Sequence, residues 1–250
     1  LVALTASHSD AAAAAANRLV ALLAEASAPF ALPCKLSISD AGAVSLLTAL
    51  RSPGRARDVL CVMNALILAT RGRAADALCG LGLASVLGTL PYKGSSVPLG
   101  ASIGALAKVL AMTASDTAVC ALVAGGGLDV AVDLLFDIGG VLCPTTLDGS
   151  HGRREAARGG VALLLRCLGG KTAAARNATA GPSRAALVRL LALIDAPVRL
   201  AASLEAGIAS GDTRLADGSA RALGALCDGD GELCVVMLQR FGNLRRFLHY

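Results

Sequence analysis

From Asp40 to Thr70 the apolar residues fall into two runs with the period of a helix. Ala41-Gly42 opens the first run, and Val44, Leu46, Leu47 and Leu50 are its apolar positions. In the second run Val59, Leu60, Met63, Leu66 and Ile67 recur three and four residues apart, the spacing of one buried helix face. Ser52-Pro53-Gly54 separates the two with residues that stop helices. Two such helices cannot bury their apolar faces alone. Stacking on copies of the same unit buries them, so the pattern predicts repetition.

The pattern does repeat. A glycine leading into an apolar run stands at Gly42, Gly82, Gly127, Gly160, Gly207 and Gly242, at intervals averaging about 40 residues. The longer run recurs around Leu66, Leu106, Leu187 and Leu223, each after an alanine. Gly72-Arg73-Ala74-Ala75 is echoed by Gly152-Arg153 followed by Ala156-Ala157, two periods on. This size of unit predicts an all-α solenoid of about five to six degenerate helical repeats in one domain, residues 1–250.

Several segments sharpen the expectation. Asp10 can cap a helix over 11–24. A short helix is expected at Asp76–Cys79, another at Leu83–Leu90, and a long one at Pro98–Met112. Ser115 and Asp116 read as the cap of the next. Gly139–Gly149 stands where a long helix is due, and its glycines and Pro144 predict an irregular unit near 139–150. Beyond it Arg153–Arg158 and Val161–Leu168 resume as separate pieces, and 183–193 reads as a capped helix. After Gly207 the short helix is nearly deleted, and Ser219–Cys227 forms the next one.

With these elements in place, the chain resembles the armadillo family. The resemblance rests on Ala41–Ser52, AGAVSLLTALRS, and on the Ala-Leu pairs at 65–66, 105–106, 186–187 and 222–223. It covers nearly the whole chain. Within the family, the Gly-Arg pairs after the long helix look most like the repeat domains of plant U-box ubiquitin ligases, although no U-box is present here. The resemblance implies a right-handed solenoid whose long third helices line a concave groove. It also implies that two positions flanking each Ala-Leu pair face a bound peptide. Those positions are Asn17 and Ala21, Asn64 and Leu68, Gly104 and Lys108, Ala185 and Arg189, and Arg221 and Ala225. The candidate partner-binding residues are therefore Asn17, Asn64, Leu68, Lys108, Arg189 and Arg221, with the three cations suited to an extended acidic segment.

Composition agrees with thin helical layers. The chain is 55% hydrophobic but has no Trp, two Tyr and four Phe, so its apolar mass is Ala, Leu and Val. The longest uncharged run, about residues 77–92, is broken by glycines and Pro91 and falls short of the ~20 residues a membrane span needs. A cytoplasmic or nuclear location without membrane contact is the expectation. The chain opens and closes inside helical patterns, which suggests a piece of a longer protein. A net charge of +5 does not by itself imply nucleic acid. Eight cysteines form no CxxC pair, so buried thiols rather than disulfides or metal ligands are expected, among them Cys61, Cys79 and Cys227.

Candidate chemistry is sparse. His8, His151 and His249 are isolated, without the spacing of a zinc or nucleophile motif. Gly80-Leu81-Gly82 and Gly125-Gly126-Gly127 precede helices, where backbone N–H groups can hold an anion. Neither completes a phosphate-binding motif, and a tight turn between helices is the simpler reading. Asp129, Asp133 and Asp137 fall four apart and read as a solvated acidic face. The expectation is a non-catalytic scaffold without cofactor or metal. The alternatives are the substrate-recognition part of a U-box-type ligase and an all-α enzyme with a cofactor near Gly125–Gly127.

Overall fold

The computed structural model describes residues 39–52, 54–91, 97–135, 147–169, 184–228 and 235. Among these every element is helical and there is no strand. The elements are α1 (Asp40–Leu50), α2 (Ala56–Ala69), α3 (Arg73–Gly80), α4 (Leu83–Gly88), α5 (Val97–Thr113), α6 (Asp116–Ala124) and α7 (Gly127–Asp133). They continue with α8 (Leu147–Leu168), α9 (Arg184–Leu193), α10 (Ala196–Ala209) and α11 (Thr213–Cys227).

Local chemistry fixes many of the boundaries. Ser39 caps α1 by accepting from the Gly42 N–H at 3.2 Å. Ser115 caps α6 by accepting from Ala118 at 3.1 Å. Asp212 caps α11 by accepting from Leu215 at 3.1 Å. Each satisfies an N–H that has no partner within its own helix. After α2 the chain turns through Arg71 and Gly72, both at positive φ. The sharp turns before α4 and α7 are made by Gly82 and Gly126, each at φ 91°.

The long helices pack in series: α2 on α5, α5 on α8, and α8 on α11. The contacts show that they run in the same direction. Gly72, just past the end of α2, lies against the Thr113 carbonyl at the end of α5. Gly104 in mid-α5 meets Ala156 and Gly159 in mid-α8, and Ala114 after α5 accepts from Arg166 near the end of α8. Asp212 at the head of α11 meets Arg158, and Gly218 meets Val161 farther along α8. The shorter helices form the other side: α3 packs on α6, α4 on α7, and α1 against α2, α3 and α4. The core runs between these two sets and includes Leu46, Leu50, Leu60, Met63, Ile67, Leu78, Leu83, Ile103, Leu106 and Leu110. Burying each such side chain contributes about 1.5–3 kcal/mol.

Three expectations change. Leu147–Leu168 is one continuous helix of 22 residues, not two pieces. It runs through Gly149, Gly152, Gly159 and Gly160; residues 136–146, the rest of the expected irregular unit, lie outside the described residues. Two of these glycines, Gly159 and Gly160, disfavour a helix on propensity yet allow this one to pack closely. A Cβ on Gly104 would stand 2.5 Å from the Ala156 Cα, and one on Gly159 would stand 2.5 Å from the Gly104 Cα. The second change concerns Gly160 and Gly207. They do not start helices but lie inside α8 and α10, pressed against Ala131 of α7 and Ala216 of α11. Third, α11 begins at Thr213, six residues before the expected Ser219.

Candidate partner-binding surface

The series of long helices decides which of the expected groove residues belong together. Asn64 and Leu68 lie one turn apart on α2. Asn64 is half-buried and its Oδ1 is enclosed without a hydrogen-bond partner among the described residues, while Leu68 is 49% exposed. Lys108 is exposed on α5. It precedes Thr113 by five residues, as Leu68 precedes Gly72 by four, so the Gly72–Thr113 contact brings Leu68 and Lys108 level on adjacent helices. Arg221 is exposed on α11, with Asp217 one turn back at 3.8 Å. Asn17 lies outside the described residues.

Arg189 is placed differently. It is exposed on α9, and α9 packs chiefly on α10 rather than joining the long-helix series. The Ala-Leu pair at 186–187 therefore does not mark a third helix. The member of the series between Lys108 and Arg221 is α8, whose Ala162-Leu163 repeats the burial pattern of Ala65-Leu66 and Ala105-Leu106. Three residues after each alanine stand Leu68, Lys108 and Leu165, exposed, exposed and half-buried. Met112, one turn beyond Lys108, is 70% exposed. At the front position Gly104 faces α8 rather than solvent. Among the described residues the series thus carries Lys108 on α5 and Arg221 on α11, with Leu165 of α8 between them, and Arg189 does not join them in a row of three. The motif VALLLR at 161–166, so close to NALILA at 64–69, is the signal that identifies α8.

Sequence reasoning also missed four polar joints between successive units. Asp76 accepts from the Ser115 N–H at 3.3 Å. Arg166 donates to Asp116 at 2.7 Å and to the Ala114 carbonyl at 3.1 Å. Arg199 reaches the Val132 carbonyl at 3.3 Å and Asp133 at 3.5 Å. Arg158 pairs with Glu155 and, at 2.7 Å, with Asp212, whose side chain is only 2% exposed. Burial pulls the Arg158 pKa down, but the hydrogen bonds and charges of Asp212 and Glu155 outweigh it and the pKa is raised. Their partners lie between 39 and 67 residues apart in sequence, which no local pattern reveals.

The remaining candidates have structural roles. Gly126 turns the chain between α6 and α7, and Gly127 packs on Leu122. Asp129 is exposed, Asp133 meets Arg199, and Asp137 lies outside the described residues. His151 is exposed; His8 and His249 lie outside the described residues. No group of three metal-ligating side chains is found among the described residues. No described helix is long and apolar enough to cross a membrane. Cys79 is buried, and its thiol is pushed up to about 12 by burial, with smaller contributions from Asp76 and Cys167. Cys227 is half-buried; Cys61, expected inside, is exposed. Comparison with protein-family models, with curated proteins and with solved structures finds no match.

Proposed function

We propose that this chain is a non-catalytic protein-interaction module built as an armadillo-like α-solenoid. Its partner lies across the exposed face of the long helices. The observation that carries this reading is the same-direction series α2–α5–α8–α11, with Leu68 and Lys108 level on its first two members and Leu165 three residues after the corresponding alanine on the third. Side-by-side helices of this kind expose equivalent residues about 8–10 Å apart, which suits a segment laid across them. Leu68 and Met112 supply apolar area, and Lys108 sets polarity by favouring one carboxylate on the partner. The acidic segment expected from three aligned cations is narrowed to an apolar segment with an acidic residue opposite Lys108.

Peptides selected by display against the folded chain test the reading. Leu68→Ser, Lys108→Glu and Met112→Ser should each weaken the selected binders about tenfold while helicity is unchanged. Binders indifferent to all three substitutions would remove this face from consideration.

A further inference from the structure

A second surface lies away from the long-helix series, at the end of α9. Ala186, Arg189, Leu190 and Leu193 form one stripe on this helix, and all four are exposed, Leu193 at 82%. Ile194 follows Leu190 by one turn and donates its N–H to the Leu190 carbonyl at 3.2 Å, so the two side chains share a face. Ile194 also lines a cleft of about 390 Å³ with Asp129, Val132, Asp133, Asp195 and Arg199. The stripe, apolar apart from Arg189, therefore leads into a cleft lined by three carboxylates and Arg199.

Among the described residues that line it, the cleft carries more carboxylates than cations. Arg199 reaches Asp133. Asp129 and Asp195 are both exposed and have no ion pair among the described residues. Three carboxylates face one guanidinium. This local excess sits on a chain whose net charge is +5, so a cation repelled by the molecule as a whole finds its attractive point here.

We infer that the α9 face and the cleft beside it form a docking site for a basic amphipathic protein segment, which lays apolar side chains on Leu190 and Leu193 and inserts a lysine or arginine beside Asp129 and Asp195. This site differs from the long-helix face in residues and in polarity, and it does not rest on that face being a groove. The leucines supply area, the carboxylates select the sign of the partner, and an acidic segment is turned away.

The test uses the full chain and a fluorescein-labelled peptide of sequence KLLKKLLKLLKKLL, with ELLEELLELLEELL as its counterpart, followed by anisotropy. The basic peptide should bind, and the acidic one should bind at least about tenfold more weakly. Asp129→Asn with Asp195→Asn should weaken the basic peptide about tenfold and flatten its salt dependence. Leu190→Ser with Leu193→Ser should weaken it about fivefold or more, and Leu68→Ser should leave it unchanged. Binding that survives both double variants, or that Leu68→Ser abolishes, overturns the inference. So does sedimentation showing that the wild-type chain self-associates and that Leu190→Ser with Leu193→Ser dissolves the dimer, because the occupant would then be a second copy.

Discussion

Removing the Asp212 carboxylate should loosen α11 from α8 by a predictable amount. Asp212 does two jobs: it caps α11 through the Leu215 N–H, and it pairs with Arg158 across the joint. Loss of a cap costs about 0.5–2 kcal/mol. Breaking a fully buried ion pair costs about 3–5 kcal/mol. Here the cost is smaller, because the Arg158 side chain is 25% exposed and keeps Glu155 as a partner. About 1–2 kcal/mol for the pair is reasonable on that basis. Asp212→Ala should therefore cost about 2–3 kcal/mol, which for a chain of this size lowers the melting temperature by about 5–10 °C. Asp212→Asn keeps a good cap and loses the charge, so it should cost only the pair's share, about 1–2 kcal/mol. Combining Asp212→Asn with Arg158→Met should cost less than the two singles together. Hydrogen exchange should localise the change to α11 and the facing part of α8, leaving α2 and α5 protected. If Asp212→Ala melts within a degree of wild type, or if the loss spreads evenly over every helix, the joint does not work as described.

Two further predictions concern single buried groups. Ser219 is fully buried and its Oγ has no hydrogen-bond partner among the described residues, so Ser219→Ala should stabilise the chain by about 0.5–2 kcal/mol in denaturant unfolding. In the folded protein at pH 8, a disulfide reagent should modify exposed Cys61 quickly and buried Cys79 only on unfolding, since a pKa of about 12 leaves a thiolate fraction on the order of 10⁻⁴. Because the Cys79 pKa is raised on folding, its contribution to stability is intact below the unfolded thiol's pKa of about 8.5 and is lost as the pH climbs toward 12. The stability gap between wild type and Cys79→Ala should narrow over that window.

Helix period and end signals made α1 to α7 legible in the sequence. Val59, Leu60, Met63, Leu66 and Ile67 are all buried, and Ser115 caps where its position suggests. Propensity misled at α8, because Gly159 and Gly160 read as a break until neighbouring helices need the space they leave. The Ala-Leu signal misled at α9: such a pair buries equally well against any apolar surface, so it cannot say which helix it will meet. That ambiguity put Arg189 in line with Lys108 and hid Leu165. Ion pairs such as Arg158–Asp212 were out of reach, because their geometry exists only after the helices are stacked.

The contact of Gly104 with Gly159 has a consequence for measurement along the surface. Where two helices meet at glycines, their axes come closer than the usual 8–10 Å, while a step packed through larger side chains keeps the wider spacing. The α5–α8 step is thus a close one, packed backbone to backbone at mid-helix. For a partner laid across the series as proposed, the glycine pair would set how far apart its anchors on α5 and α8 must stand.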